Sequence, residues 1–238
     1  MGGSSVLAAD FSDGVKYWPL NVPTGGKSGF LLTRPEQTGI TFTNELTPQA
    51  EASNINLLDG SGVALGDYDN DGLCDIFLCN LSGSSRLYRN LGNWKFQDVT
   101  EEAGLANSNL FAHGAVFADL EGDGFLDLLV AYSGKCVKLY LNDGHGHFQK
   151  QSWNGGAFKD ETGKPLAASY WDLGLSASIH DINGDGNPDI YVCDDLQDPD
   201  RFWVGDGKGG FTLVPGQVSG IKVYGEQRGC ALADYDGG

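Results

Sequence analysis

Basic residues are scarce in this chain. Of 238 residues, 15 are Lys or Arg against 32 Asp or Glu, a formal charge of −17. That balance excludes partners held by their phosphates, because no basic patch is available for nucleic acid or an anionic membrane surface. Long apolar runs are also missing. No stretch reaches the roughly 18 residues that cross a bilayer, so no membrane insertion is expected. Met1 to Asp10 carries neither a basic n-region nor an adequate apolar segment, so no signal peptide reads there. The five cysteines (Cys74, Cys79, Cys136, Cys193, Cys230) contain no C-x-x-C and match no zinc spacing. Cys79 and Cys193 each follow a conspicuous aspartate by four residues on an apolar segment, and both are expected to be buried as small hydrophobes. An odd count leaves at least one thiol outside any pairing within the chain, so cysteine usage does not fix the compartment.

Catalytic signatures are missing as well. There is no G-x-S-x-G and no H-E-x-x-H. Gly25-Gly26-Lys27-Ser28 lacks the earlier glycine of a phosphate loop, since Asn21 stands in its place, and it reads as a flexible turn. His145-Gly146-His147 has no evident third ligand and reads as a solvated turn. His180 abuts an acidic loop and reads as a packing residue, and His113 is the fourth histidine.

What the chain has in quantity is Asp and Gly. In Asp67-Tyr68-Asp69-Asn70-Asp71-Gly72-Leu73-Cys74-Asp75, aspartates stand at relative positions 1, 3, 5 and 9 with glycine at 6. Side chains at 1, 3 and 5 converge when the backbone coils tightly, and Gly72 permits the sharp turn. The Leu73 carbonyl adds an oxygen and Asp75 closes the set. Hard oxygen donors in this number suit Ca²⁺ better than Mg²⁺, which demands stricter geometry and keeps more water. An acidic turn would use the same residues, but the pattern recurs. Asp119, Glu121, Asp123, Gly124, Phe125 and Asp127 repeat it, then Asp181, Asn183, Asp185, Gly186, Asn187 and Asp189. Asp234 and Asp236 open a partial fourth site at which the sequence ends. About three Ca²⁺ per chain are expected, one for each complete loop, with a structural role. Asn183 removes a charge and weakens the third site. An EF-hand is excluded because its position-12 Glu is here Leu78, Val130 or Val192.

The repeat around these loops gives the fold. The first aspartates lie 52 (67 to 119), 62 (119 to 181) and 53 (181 to 234) residues apart. Each unit opens with a strand of small residues: Gly62–Asp67, Gly114–Asp119, Ser176–Asp181 and Gly229–Asp234. An apolar strand follows each complete loop, Ile76–Cys79, Leu128–Ala131 and Ile190–Cys193. A third strand and a glycine turn come next, and a fourth strand starts at Phe96, Phe148 or Phe211. Four short strands per unit, with small residues on the first, predict an all-β chain of antiparallel four-stranded β-propeller blades, the small residues lining a crowded axis.

The units resemble the FG-GAP/VCBS repeat found in integrin α-subunit propellers and in many secreted bacterial propellers. Gly62 to Leu105 more narrowly resembles bacterial relatives of cartilage acidic protein, often followed by an ASPIC/UnbV domain. The resemblance implies Ca²⁺ in the Asp-rich loops between the first two strands of a blade. It also implies an extracellular, cell-surface or periplasmic location. Propellers of this type usually have about seven blades. Here residues 1–40 read as a partly ordered extension and 41–238 as repeats: blades near 57–112, 113–174 and 175–227, and a partial one over 228–238. This incomplete set reads as a fragment, a truncated product, or a piece that a second chain or self-association completes.

Ser61, His113, Leu175 and Arg228 precede the inner strands and would ring one face around the axis. Of these, Ser61, His113 and Arg228, with Trp171 and Tyr224, are a candidate ligand face. The expected function is a non-enzymatic, calcium-stabilised module for extracellular recognition or adhesion, with a protein or glycan ligand. The alternatives are a carbohydrate-active lyase or hydrolase on a propeller scaffold, and an assembly element that completes a propeller with another chain.

Overall fold

The structure, a computed structural model, describes residues 30–44, 46–48, 60–106, 111–132, 137–151, 156–166, 174–194 and 199–220. Asp234, Asp236, Trp171, Tyr224, Arg228, Cys136 and Cys230 lie outside these, as do residues 1–29. The chain divides into two compact units, residues 1–33 and 34–238. In the first, only Phe30 to Thr33 are described, without regular structure and exposed. The second holds every described strand.

Three antiparallel sheets follow one another along the chain, each a meander in sequence order. The first contains β1 (Val63–Gly66), β2 (Asp75–Leu78), β3 (Arg86–Asn90) and β4 (Phe96–Asp98). The second contains β5 (Ala112–Ala118), β6 (Asp127–Tyr132), β7 (Lys138–Asn142) and β8 (Phe148–Lys150). The third contains β10 (Ser176–His180), β11 (Asp189–Cys193), β12 (Arg201–Gly205) and β13 (Phe211–Leu213). The all-β class and the four-stranded repeating unit are as the sequence spacing predicts.

The third sheet has one strand more than predicted. β9 (Phe158–Lys159), which precedes β10 in the chain, pairs parallel with β13. Phe158 explains the pairing: its buried ring meets Trp203 edge-on at 5.6 Å and stacks on Phe211 at 5.4 Å. Interlocked aromatics of this kind stabilise beyond their buried area by about 1 kcal/mol per pair.

Strand alternation explains how the sheets pack. Side chains two apart share a face, so each central strand serves two neighbours. Phe77, Cys79 and Leu87 of the first sheet share one core with Leu128, Val130 and Tyr132 of the second. Leu129, Ala131 and Leu139, from the opposite face of the second sheet, share another with Ile190, Val192 and Trp203. β6 is therefore buried along its whole length. Cys79 and Cys193 are buried as expected.

The first strands of the three sheets lie side by side, and small residues make this possible. Gly62 donates its N–H to the His113 carbonyl at 2.6 Å, and a Cβ on Gly62 would stand 2.9 Å from that oxygen. A Cβ on Gly114 would stand 3.1 Å from the Leu175 carbonyl oxygen. A larger side chain at either position would force neighbouring blades apart.

Two short helical turns complete the description, α1 (Pro35–Thr38) and α2 (Gly216–Ser219). Beyond α1 the chain docks on the first sheet. Thr41 donates its N–H to the Tyr88 hydroxyl at 3.3 Å, and Asn44 bridges the Ser61 hydroxyl and the Leu81 N–H. No helix among the described residues is long and apolar enough to cross a membrane.

Candidate metal centre

Each Asp-rich segment forms the loop between the first two strands of its sheet: 67–74 between β1 and β2, 119–126 between β5 and β6, 181–188 between β10 and β11. Their internal hydrogen bonds are nearly the same three times over. The carboxylate at position 1 accepts the N–H groups at positions 5 and 6. Asp67 takes those of Asp71 and Gly72 at 3.0 and 2.8 Å, Asp119 those of Asp123 and Gly124 at 3.1 and 2.9 Å, and Asp181 those of Asp185 and Gly186 at 3.0 and 2.8 Å. At position 5, Asp71, Asp123 and Asp185 accept the N–H of Leu73, Phe125 and Asn187. The position-6 glycines have φ of 87°, 89° and 87°, and a Cβ there would meet nothing within 4 Å. Conformation rather than space therefore demands glycine at that turn.

The aspartate at position 9 has a different place from the other three. Asp75, Asp127 and Asp189 are each fully buried as the first residue of the second strand. One oxygen accepts the N–H at position 2 of the loop: Tyr68 at 3.1 Å, Leu120 at 2.9 Å, Ile182 at 2.9 Å. The other accepts the N–H that ends the third strand: Asn90 at 2.7 Å, Asn142 at 2.9 Å, Gly205 at 2.9 Å. Each of these carboxylates latches its loop to the sheet beneath. Burial pushes the pKa of Asp75 and of Asp127 up to about 6, against the opposing pull of the two N–H donors.

Above that shared cage the loops differ in charge. In the first, Asp67, Asp69 and Asp71 each turn an oxygen inward, and the three lie within 4.8 Å of one another. Among the described residues it is the one group of three acidic, His or Cys side chains that meets so closely. A guanidinium stands against it, with Arg89 Nε 2.7 Å from Asp69 Oδ2 and one terminal nitrogen 3.5 Å from Asp71 Oδ2. Burial raises the pKa of Asp69, Arg89 opposes that shift, and Asp71 and Asp67 add to it. In the second loop no carboxylate forms an ion pair among the described residues. Burial raises the pKa of Glu121, and the carboxylates of Asp123 and Asp119 raise it further. In the third, the Asn183 amide donates to Asp185 Oδ2 at 3.0 Å, and hydrogen bonds hold the Asp185 pKa below its usual value.

The first loop fits a hard divalent cation on its donor set and on one further observation. Asp69 Oδ1 is buried and has no hydrogen-bond partner, although the side chain belongs to the converging triad. A buried carboxylate oxygen left without a donor is costly unless something positive meets it.

The residues predicted for a ligand face divide. Ser61 and His113 line one depression of about 370 Å³ where the inner strands begin, together with Gly62, Gly114, Leu175 and Ser176, whereas Trp171, Tyr224 and Arg228 lie outside the described residues. The Ser61 hydroxyl is engaged internally, donating to the Cys79 carbonyl and accepting from Asn44, each at 2.8 Å. His145 and His147 are exposed in the turn between β7 and β8, where Asp143 accepts both of their N–H groups. Sequence reasoning passed over Arg89. Its signal was an arginine in a strand position that Leu141 and Val204 occupy in the other units.

That turn of the second sheet overhangs the first loop. Asn142 donates its side-chain amide to the Tyr68 carbonyl at 2.8 Å, and a polar cleft of about 420 Å³ opens between Asp69, Arg89, Gln97 and Glu102 on one side and His145 and His147 on the other.

The description FG-GAP-like repeat matches residues 67–130 and 181–237. Cartilage acidic protein 1 of Mus musculus is 32% identical over 98 residues, 41% of this chain and 15% of that protein. Its Xenopus tropicalis counterpart is 31% identical over 145 residues, 58% of this chain and 22% of that protein. The chain thus spans less than a quarter of the length of these curated relatives. Among solved structures, an Agrocybe aegerita lectin that recognises non-reducing terminal N-acetylglucosamine aligns with a TM-score of 0.38 at 22% identity, over 63% of this chain and 36% of that one.

Proposed function

Because the chain belongs to the FG-GAP-like repeat family, we propose that it is a calcium-stabilised β-propeller module that acts by recognition, outside the cell or in a periplasm, and not by catalysis. The observation that carries the metal reading is the convergence of Asp67, Asp69 and Asp71, with Asp69 Oδ1 buried and unsatisfied. Asp119, Glu121 and Asp123 would hold the second ion and Asp181, Asn183 and Asp185 the third, with Leu73, Phe125 and Asn187 contributing main-chain oxygen. Bound calcium supplies positive charge to crowded oxygens, and its binding free energy adds to folding.

Recognition is supported by the two concavities, the depression where the inner strands begin and the polar cleft beside the first loop. Both are of the size that takes a small ligand or a few residues of a larger one. A protein or a glycan is the proposed ligand class. The loop carboxylates that acid–base chemistry would need accept internal N–H groups, which favours a structural role for them.

The test is a calcium titration by calorimetry on metal-stripped protein, with light scattering on the same sample. About three sites and a monomeric mass support the reading; absence of binding heat, with an unchanged melt in excess EDTA, would sink it. Asp71→Ala should lower the melting temperature in calcium by several degrees more than Asp13→Ala, which lies outside every loop, and equal effects would contradict the site.

One observation favours a second reading, assembly with a further blade-like sheet. Leu65 and Trp94 of the first sheet are 61% and 75% exposed, and with Leu73, Ile76 and Phe96 they line an apolar hollow of about 670 Å³. Patches of this kind commonly mark an interface. A mass in solution above that of one chain would favour it.

A further inference from the structure

The three loops share a backbone but differ at one neighbouring position, and the difference concerns what meets their charge. Arg89 on β3, Leu141 on β7 and Val204 on β12 are matching residues, each one place before the N–H that the buried latch aspartate accepts. Leu141 packs beneath Gly209 in the turn of the next sheet, its methyl carbons 3.9 Å from where a Cβ would stand. Arg89 instead reaches into its own loop. It places Nε 2.7 Å from Asp69 Oδ2 and a terminal nitrogen 3.5 Å from Asp71 Oδ2, two of the three carboxylates that converge there.

We propose that Arg89 is the built-in counter-cation of the first loop, and that it surrenders Asp69 and Asp71 when a divalent ion binds. The inference rests on the calcium reading above and adds to it a residue that sets the affinity of one site. The reasoning is electrostatic. A guanidinium and a divalent ion both seek the same oxygens. Two positive groups within a few ångströms repel, and their repulsion is weakly screened where the carboxylates are largely withdrawn from water, as Asp69 is at 13% exposed. Arg89 has somewhere to go, because its side chain is 43% exposed and borders the cleft that Glu102 also lines. With Arg89 turned in, the loop carries its own neutralising charge without metal. With Arg89 turned out, the loop presents three carboxylates with no protein cation against them, and the cleft receives a fork of donors. Among the described residues neither of the other two loops has an arginine or lysine paired with its carboxylates, so neither has a protein cation to displace.

The experiment compares the full chain with its Arg89→Leu variant, leucine being the residue at the matching place in the second sheet. Calorimetric calcium titration of metal-stripped protein should show one site tightened about tenfold in the variant, the range expected from losing a two-contact ion pair as competitor. Thermal melts should cross: the variant lower than the parent in EDTA, equal to it or higher in excess calcium. Arg86→Leu is the control. It breaks an ion pair with Asp98 at 3.7 Å, away from any loop, and should shift both melts alike. Superimposable isotherms, or an Arg89→Leu melt lowered equally in both conditions, would overturn the role of Arg89 and leave calcium binding intact. No calcium heat in either protein would overturn the metal reading and this inference together. Should the variant fail to fold, the Arg89 Nε–H resonance of the unaltered protein decides the matter. Calcium must shift it, and a resonance that stays in place overturns the displacement.

Discussion

The first and third loops are the same piece of backbone with different charges on it. Both cap positions 5 and 6 with the carboxylate at position 1, and both hang from a fully buried aspartate that reaches the third strand. Yet the first gathers three carboxylates and a guanidinium, whereas the third has an amide at position 3 and, among the described residues, no ion pair. The comparison separates two functions of one motif. Aspartates at positions 1, 5 and 9 build the loop through main-chain donors, and the residue at position 3 sets how much charge it holds.

Chelation tests whether both loops depend on metal, and it carries the largest expected effect. Excess EDTA should lower the melting temperature by more than about 10 °C, since ions bound to the native state alone stabilise it by mass action. A melt that does not move would reduce the loops to acidic turns. Next in size is the latch. Asp75→Ala strands two main-chain N–H groups and Asp189→Ala three, at a cost of about 3 kcal/mol or more. Because the latch belongs to the shared backbone, denaturant unfolding should show similar losses in the two loops. A loss confined to the first would mean that the two cages are built differently.

Asn183→Asp removes the difference in charge. It should tighten calcium binding at the third loop on the order of tenfold, because affinity follows the count of charged ligands, and lower the metal-free melt by a degree or two through like-charge crowding. An unchanged titration would place the third loop outside the metal sites. A further modest effect concerns pH. Asp75 and Asp127 have folded pKa values near 6, above the ordinary aspartate value of about 4. Their contribution to stability is therefore present below about pH 4 and lost as pH rises through about 6. Metal-stripped protein should melt about 2–4 °C higher at pH 5 than at pH 7. Calcium-loaded protein should do the reverse, because protons compete with the ion. Parallel pH profiles with and without calcium would contradict the burial of these two carboxylates.

Much of this was legible beforehand because it is local. Aspartates and glycines at fixed spacing specify a loop through their own side chains, and Gly62 just before β1 and Gly114 within β5 announce a crowded axis. The latch was half legible. Asp75 was readable as part of the set, but its burial and its bond to Asn90, fifteen residues on, depend on how β2 and β3 pair. Arg89 left only a break in an apolar column. β9 left nothing, since Phe158 is one aromatic among twelve phenylalanines until Trp203 and Phe211 come to meet it.

That extra strand bears on how such a chain stays apart from its copies. A sheet that ends in an open strand is a template on which an identical chain can add another, and a chain of repeated hairpins carries that hazard at every unit. The first two sheets end in three-residue strands whose Gln97 and Asp98, or Gln149 and Lys150, face water. The third would end in β13, but β9 already occupies its free side with two residues and then turns away. The outer edge of each of the three sheets is thus a strand of two or three residues, which offers little main chain for another copy to extend.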